Sequence, residues 1–450
     1  MNRFEPYLPL LSDALKKLDA WRTSYGVIDE HGYGPDKSQI EQVLNNLAER
    51  LESNYPFHHP QYAGQMLKPP HPAAWLAYSL AMTINPNNHA LDGGPPTSKM
   101  EKEVVDQLAE MCGYKQPCLG HLTSAGTIAN LEALFIAREL YPGKAIAATV
   151  QAHYTHRRMC RVLNAPFLEI PVDPDGRPEK EFLEEHADEI GTLVVTMGTT
   201  GLGRVEPLAD LAEWAQSKKI RVHVDAAYGG FFSLISDTLP NKTDWNALPM
   251  ADSIVIDPHK HGLQPYGCGS VLFKDPSVGR FYKHDSPYTY FTSDDLHLGE
   301  ISLECSRAGA AAAALWTTLQ LIPLTKDGLG SMLQNCVDAA GLFAEQLNSS
   351  SGFRVYENPQ LDIAGYFPKP KTQTYSEIST LSKSLFSSGM NDKETGFHLS
   401  LYKIPADEFA AKFPGYKKDA QTVTILRSVF MKPEHKPFIP ELINRLHNHL

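Results

Sequence analysis

Short apolar runs alternate with amphipathic stretches in the middle of the chain. Five runs between about residues 100 and 275 have the length and composition of buried strands, namely 145–150, 192–197, 221–224, 253–256 and 270–273. Stretches with helical spacing, such as 207–218, lie between them. This alternation predicts an α/β fold with a mainly parallel central sheet that is covered by helices on both faces.

The N-terminal part has a helical pattern instead. Ser38 and Glu41 match a capping box. The residues that follow place apolar side chains on one helix face, at Ile40, Val43, Leu44, Leu47 and Leu51. Residues 1–55 are therefore predicted to form a helical arm that must bury this face, and a partner subunit is one candidate for covering it.

The C-terminal part contains loop-like segments at 326–328, 349–352 and 368–371, which are rich in Lys, Ser, Gly or Pro. A run at 423–430 predicts a strand, and a terminal helix is expected from Pro440. We therefore expect a large domain over 56–325 and a smaller α+β domain over 326–450.

The composition excludes several classes of protein. The chain of 450 residues has 41 Lys and Arg against 52 Asp and Glu, a net charge of −11, without a long basic run. A nucleic-acid partner is not expected, because phosphate neutralisation needs clustered cations. The longest apolar stretch, 308–316, is far shorter than the roughly 20 residues that a membrane crossing needs, so no membrane association is expected.

Cysteine and histidine spacing points to neither disulfides nor a metal. The 6 cysteines form no CxxC pair, which is typical of reduced thiols in a cytoplasmic protein. His153 lies close to His156, and His58 is next to His59, but no helical HExxH motif or set of four ligands accompanies them. We expect no metal site.

Two ionisable residues stand at the ends of predicted strands. Lys260 follows the 253–256 run in the segment Asp257-Pro258-His259-Lys260, and it is either a surface-loop lysine or a partly desolvated amine that forms a Schiff base. Asp225 follows the 221–224 run and precedes small residues. It is either a helix cap or the carboxylate that keeps a proton on the ring nitrogen of pyridoxal phosphate.

Further residues suited to a phosphorylated, flat ligand follow other runs. Residues 122–130 lead into a helix predicted over 131–140, and their hydroxyls and backbone N–H groups make either an anion site or an ordinary N-cap. No GxxxxGK[ST] motif is present, so this segment is not a nucleotide P-loop. His153 either stacks on a flat cofactor or is a hydrogen-bonded loop histidine.

Five segments between residues 123 and 260 occur in the order and approximate spacing of a known family. They are TSAGTIANLEAL, QAHYTH, TMGTT, HVDAAYGG and DPHK. Together they resemble the group II pyridoxal-phosphate-dependent amino-acid decarboxylases, which include the aromatic amino-acid and glutamate decarboxylases. The resemblance covers roughly residues 55–325 and is closest to bacterial tyrosine decarboxylases, through 85–88 and 303–316. Residues 262–265 and 306–309 are also similar to archaeal tyrosine/aspartate decarboxylases.

The resemblance implies pyridoxal 5'-phosphate as cofactor and the fold of PLP-dependent transferases, the aspartate aminotransferase type or fold type I. Lys260 would form the Schiff base with the cofactor, and Asp225 would pair with its pyridinium nitrogen. His153 would stack on one face of the ring, and Ala227 would pack against the other. The resemblance assigns the phosphate to Ser124, Ala125, Gly126 and Thr127, and the reacting face to His259 and Thr200.

The resemblance also implies a tyrosine that protonates the substrate carbanion at Cα. Tyr266 lies six residues after Lys260, where the tyrosine decarboxylases carry it, and is preferred; in other members Tyr288 or Tyr290 would correspond. One departure concerns Asp257, because some relatives have an asparagine there whose amide contacts the phosphate. A carboxylate repels a phosphate dianion, so no direct phosphate role is expected for Asp257.

The implied reaction is decarboxylation of an L-amino acid to the corresponding amine and CO2. An aromatic substrate such as tyrosine is preferred, and aspartate or glutamate comes next. A carbon-carbon lyase, an aminotransferase and an aldehyde synthase are alternatives. Tyr62, His89 and Arg427 are candidates for lining the substrate pocket, although a structural role is favoured for each. The family further implies a homodimer with the site at the interface.

Overall fold

The computed structural model describes residues 4–27, 34–282, 302–392 and 394–450. The strands in these ranges are β1 (Leu119–Thr123), β2 (Ala145–Thr149), β3 (Phe167–Ile170), β4 (Ile190–Thr196), β5 (Arg221–Asp225), β6 (Ser253–Ile256), β7 (Gly269–Phe273), β8 (Phe353–Val355), β9 (Ile363–Pro368), β10 (Ser400–Pro405) and β11 (Thr422–Val429).

The helices in the same ranges surround the strands. They are α1 (Leu8–Thr23), α2 (Lys37–Leu51), α3 (Pro72–Met82), α4 (Pro95–Met111), α5 (Gly126–Leu140), α6 (Thr155–Leu163), α7 (Lys180–Glu185), α8 (Leu208–Lys218), α9 (Lys242–Asn246), α10 (Gly309–Leu321), α11 (Ser331–Ser349), α12 (Tyr375–Asn391), α13 (Ala406–Lys412) and α14 (His435–Asn448). None of these helices has both the length and the apolar character needed to cross a membrane.

The central sheet has the strand order β1-β7-β6-β5-β4-β2-β3 in the described part of the chain. The pairs from β6 to β3 are parallel, whereas β7 is antiparallel to both of its neighbours. Strands β2, β4, β5, β6 and β7 are buried along their whole length, as expected where helices cover both faces. The carboxyl ends of β1, β2, β4, β5 and β6 therefore meet at one edge. The α/β prediction is confirmed.

The predicted strand positions are largely correct. The run at 253–256 coincides with β6, and the other four runs differ from β2, β4, β5 and β7 by one or two residues at an end. The sequence reading missed β1 and β3. Strand β1 contains a glycine and a histidine, and β3 is a four-residue strand at the sheet edge that carries Glu169, so neither forms a continuous apolar run.

Two helix starts differ from the predictions. Helix α5 begins at Gly126 and not at residue 131, because the polar and small residues before 131 form its first turn. Helix α14 begins at His435, five residues before the predicted start at Pro440, and contains that proline in its interior. The predicted strand at 423–430 is β11 shifted by one residue, while the expected helix over 207–218 is α8 with Pro207 as its N-cap.

The N-terminal arm is helical, as predicted, but its cap differs. Asp36 is the N-cap of α2: its carboxylate accepts from the backbone N–H of Ser38, and the Gln39 side chain accepts from the N–H of Asp36, each at 3.2 Å. The capping box predicted at Ser38 is therefore two residues out of register. The apolar side chains of one face of α2 (Ile40, Val43, Leu44, Leu47 and Leu51) are 43% to 64% exposed in the single chain, so the expected cover by a partner subunit stays a prediction.

A second sheet with the order β10-β11-β9-β8 is antiparallel throughout its described pairs. It supports a C-terminal α+β unit, although the exact boundaries at 55 and 325 stay a prediction. Arg204, which follows β4, forms ion pairs at 2.7 Å with Glu357 and Glu408 in the C-terminal part. Gln360 accepts a hydrogen bond from the backbone N–H of Val205 at 2.8 Å. These contacts fix the second sheet against the first.

Candidate active site

A cavity of about 180 Å³ lies at the carboxyl edge of the central sheet. Its walls come from the segments that follow β1, β2, β4, β5 and β6, as is typical of open α/β sheets, in which ligands bind beyond the carboxyl ends of the strands. The lining residues are Ala125, Gly126, Thr127, Asn130, His153, Thr155, Thr196, Gly198, Thr200, Asp225, Ala227, Tyr228, Asp257, His259 and Lys260. Every residue predicted to bind the cofactor, with the exception of Ser124, lines this cavity.

Lys260 and Asp257 form an ion pair on the segment after β6. The ammonium nitrogen of Lys260 lies 3.1 Å from Oδ2 of Asp257, and the lysine side chain is 22% exposed. Lys260 is thus partly desolvated and faces the same cavity as Asp225, which is the arrangement that Schiff-base chemistry with a pyridine cofactor needs.

Asp225, the last residue of β5, is a buried carboxylate held by two contacts. Nε2 of His156 lies 2.9 Å from its Oδ2, and the backbone N–H of Ala227 donates to its Oδ1 at 3.1 Å. Burial alone would raise the pKa of Asp225, but the His156 hydrogen bond and the charges of His156 and Lys260 outweigh it and hold this pKa well below its usual range. Asp225 therefore stays ionised and can hold a proton on a neighbouring ring nitrogen.

The contact between His156 and Asp225 is not predicted from the sequence, in which the spacing of His153 and His156 suggests at most a metal ligand. His156 lies in the first turn of α6, three residues after His153, and this spacing was the available signal. Its contact with Asp225 spans 69 residues of sequence and becomes visible only in the folded chain. Among the described residues, no cluster of three or more His, Cys, Asp or Glu side chains has the arrangement of a metal site.

A second buried carboxyl, Glu206, lies beneath the strand ends. It accepts from the hydroxyl of Thr149 at 2.5 Å and from the backbone N–H of Thr196 at 2.7 Å. Thr149 ends β2, and Thr196 ends β4 and pairs with Asp225 across the sheet. Burial raises the pKa of Glu206 to about 7, although both hydrogen bonds oppose the shift. The sequence reading did not find this residue.

The first turn of α5 borders the cavity at Ala125, Gly126 and Thr127. A side chain at Gly126 would collide with Asp257, because an added Cβ would lie 2.5 Å from its Oδ2. Glycine is therefore required for the segment after β6 to approach the helix. Ser124 does not line the cavity, and its backbone N–H donates to Glu304 at 2.7 Å. A lysine amine, an ionised carboxylate and a helix N-terminus on one cavity fit the aldehyde, ring nitrogen and phosphate of pyridoxal phosphate.

The two cavity histidines are held by hydrogen bonds. Nδ1 of His153 lies 2.8 Å from the hydroxyl of Thr155, and Nδ1 of His259 lies 2.7 Å from the carbonyl oxygen of Cys268. Burial lowers the pKa of both histidines, although neighbouring carboxylates oppose the shift. Both imidazoles are therefore fixed in orientation and favoured in their neutral form.

Tyr266 lies beside the cavity rather than in its wall. Its ring centroid is 4.9 Å from that of His259, and the residue is 61% exposed. Partial burial of the side chain raises the pKa of its phenol, so the hydroxyl keeps its proton at neutral pH. The alternative proton donors, Tyr288 and Tyr290, lie outside the described residues.

The three candidates for the substrate pocket do not line the cavity in the described part of the chain. Tyr62 is buried, and its carbonyl oxygen accepts from Lys432 at 2.6 Å. His89 contacts the side chain of Asn87 through its backbone N–H at 3.1 Å. Arg427 donates to the carbonyl oxygen of Thr200 at 2.7 Å and so supports a residue that does line the cavity.

The fold and the cavity together define a pyridoxal-phosphate-dependent enzyme of fold type I. The family model of the pyridoxal-dependent decarboxylase conserved domain matches residues 29–364, and the chain belongs to this family. It is thus a pyridoxal-phosphate-dependent amino-acid decarboxylase, as the sequence motifs predict.

Individual relatives are distant but extend over most of the chain. L-tyrosine decarboxylase from Enterococcus faecium is 27% identical over 448 residues, covering 76% of this chain and 72% of that protein. A probable L-tyrosine/L-aspartate decarboxylase from Methanococcus maripaludis is 26% identical over 347 residues, covering 74% of this chain and 87% of that protein. The crystal structure of mouse CSAD superimposes with a TM-score of 0.79 at 20% identity, covering 95% of this chain and 91% of that one, and shares the fold.

Glu206 makes the stability of the enzyme depend on pH. Because folding raises the pKa of this carboxyl from 4.5 to about 7, its stabilising contribution is complete below about pH 4.5 and is lost as the pH rises to about 7. The free energy of unfolding of the wild type, relative to Glu206→Gln, should therefore fall by roughly 2 kcal/mol between pH 5 and pH 8. Urea denaturation at the two pH values measures this difference.

The matched control is Glu213→Gln, which removes an exposed carboxyl of α8. It should follow the wild-type pH profile. Parallel profiles for the wild type and Glu206→Gln would contradict the assignment of a proton to Glu206.

Proposed function

We propose that this enzyme decarboxylates an aromatic L-amino acid, with tyrosine as the first candidate, to the corresponding amine and CO2. The observation that carries the proposal is that Lys260 and Asp225 line the same cavity. An amine and a carboxylate that stays ionised therefore lie close to each other. The aromatic substrate is supported by the motifs shared with tyrosine decarboxylases and by the name of the Enterococcus faecium relative.

The residues around the cavity have separable roles in this proposal. Lys260 binds the cofactor covalently through Nζ, and Asp225, held by His156, keeps the ring nitrogen protonated. The N–H groups in the first turn of α5 bind the phosphate, while His153 packs against the ring. When bound, pyridoxal phosphate supplies a conjugated ring that accepts the electron pair left on Cα as CO2 departs.

His259, Thr200 and Ala227 complete the site. His259 and Thr200 lie on the reacting side, and Ala227 leaves room for the ring because its side chain is a single methyl group. Since Ser124 turns its N–H toward Glu304, its proposed phosphate contact has to come from its hydroxyl.

A screen of all twenty amino acids with the purified, cofactor-loaded enzyme tests the reaction and the substrate class. We expect CO2 and amine from tyrosine or another aromatic amino acid, without any oxo-acid acceptor. Lys260→Ala should lose this activity, and borohydride reduction should attach the cofactor to the Lys260 peptide of the wild type only. Preference for aspartate or glutamate would overturn the aromatic substrate, and release of an aldehyde from a phosphorylated amino alcohol would indicate the lyase alternative.

Tyr266 is proposed as the proton donor to Cα. Its protonated phenol lies beside His259, which lines the cavity, and general acid catalysis of this kind contributes about 10²-fold or more to rates. Tyr266→Phe should bind cofactor normally but release about 10²-fold less amine. Dissolved oxygen would instead accept two electrons from the unprotonated Cα, and hydrolysis would then give aldehyde and ammonia together with hydrogen peroxide. Product analysis by mass spectrometry together with an oxygen electrode measures both effects.

Tyr141→Phe, at the end of α5 and away from the cavity, is the control and should keep full amine release. Full amine release by Tyr266→Phe would transfer the role to another group, with Tyr288 and Tyr290 as the next candidates. Aldehyde as the main product of the wild type would make the enzyme an aldehyde synthase.

We also propose that the enzyme is a homodimer, because the apolar face of α2 has no cover within the described chain. A second copy of the chain is the proposed partner, with the site close to the interface. Leu44→Glu should shift the protein toward the monomer in analytical ultracentrifugation, whereas Gln42→Glu on the opposite side of α2 should not. A wild type that sediments as a monomer contradicts this proposal.

A cytoplasmic location is also proposed, and it is supported by the six free cysteines.

A further inference from the structure

The carboxylate of Asp257 is buried with only part of its hydrogen-bonding capacity used. The residue is 3% exposed, and its Oδ2 lies 3.1 Å from the Lys260 ammonium nitrogen. Its Oδ1 is buried and has no hydrogen-bond partner within the described residues. A buried carboxylate with one oxygen that makes no hydrogen bond depends strongly on a neighbouring cation for its stability.

Asp257 also faces the helix end that is proposed to hold the phosphate. Both carboxylate oxygens lie within 2.6 Å of the place where a Cβ on Gly126 would stand, and Gly126 is in the first turn of α5. The carboxylate thus forms part of the wall against which a bound anion would rest. Like charges at such short range in a poorly hydrated site repel each other strongly.

The other titratable groups around Asp257 do not balance its charge. His259 lies 3.5 Å from Oδ2, and His153 is close enough to interact, but burial lowers the pKa of both imidazoles and favours their neutral form. Tyr266 and Cys268 also interact with Asp257, and the raised pKa of each keeps its proton in place at neutral pH. Lys260 is therefore the main counter-ion of Asp257.

We propose that Asp257 is an affinity-setting residue that weakens the hold of the enzyme on pyridoxal phosphate. In the cofactor-free enzyme it stabilises the free Lys260 ammonium. In the loaded enzyme Nζ would be bonded to the cofactor and its charge would be shared with the cofactor, while the carboxylate would lie in the same cavity wall as the proposed phosphate site. Both effects favour the cofactor-free state. This inference rests on the proposed roles of Lys260 and of the α5 N-terminus.

The direct test is the affinity of the cofactor-free enzyme for pyridoxal phosphate, measured by absorbance titration and by equilibrium dialysis. Asp257→Asn keeps the size of the side chain, removes its charge and can donate a hydrogen bond to an anion. We expect a dissociation constant about tenfold lower than that of the wild type. Asp188→Asn, which removes an exposed charge, should leave the dissociation constant unchanged. Equal or weaker binding by Asp257→Asn would overturn the inference.

A stability measurement on the cofactor-free protein tests the ion pair independently. Lys260→Ala should lower the midpoint of urea denaturation, because it leaves a buried carboxylate unpaired. The double variant Lys260→Ala/Asp257→Asn should recover most of this loss. An additive or larger loss in the double variant would overturn the role of Asp257 as partner of the free lysine.

The outcomes separate this inference from the proposed function. If the wild type fails to bind pyridoxal phosphate at all, the proposed function is wrong. If the wild type binds it and Asp257→Asn binds no more tightly, the function stands and the role of Asp257 does not.

Discussion

The chemistry proposed for this enzyme depends on keeping the carboxylate of Asp225 ionised where water is largely excluded. Burial disfavours the charge on Asp225, and this cost is offset by His156 at 2.9 Å and by the backbone N–H of Ala227 at 3.1 Å. The pairing requires α6 to follow β2 at the edge where β5 ends. The environment of the acid that we propose to serve the cofactor is therefore a product of sheet topology as well as of its own position in the sequence.

The parallel direction of the strands explains why the other side chains that line the cavity also lie at the carboxyl edge of the central sheet. Each helical crossover returns the chain in the same direction, so the carboxyl ends of β1, β2, β4, β5 and β6 deliver their loops to one side. The buried strands supply rigid supports, and the segments after them supply the amine, the carboxylate and the helix turn that is proposed to bind the phosphate. Close approach at Gly126 then brings the loop after β6 against α5.

The sequence predicts β2, β4, β5, β6 and β7 from short runs that contain apolar and β-branched residues, but it does not predict β1, which is equally buried and contains a glycine and a histidine. It also predicts the cavity residues that follow these strands, including Lys260 and Asp225. It does not reveal His156 or Glu206, since a polar residue becomes a partner through contacts between segments far apart in sequence. The predicted N-cap of α2 is two residues too late for a local reason. Asp36 is also a favoured capping residue, and it takes the N-cap position ahead of Ser38.

The segment between β4 and α8 connects the C-terminal sheet to the cavity. Arg204 in this segment forms an ion pair with Glu357 of the C-terminal part, and two residues later Glu206 turns back to the strand ends. Arg427 on β11 holds the carbonyl oxygen of Thr200, which lines the cavity. A displacement of the C-terminal sheet would therefore move one wall of the site. The shape of the cavity therefore depends on how the two sheets are docked, and not only on the side chains that line it.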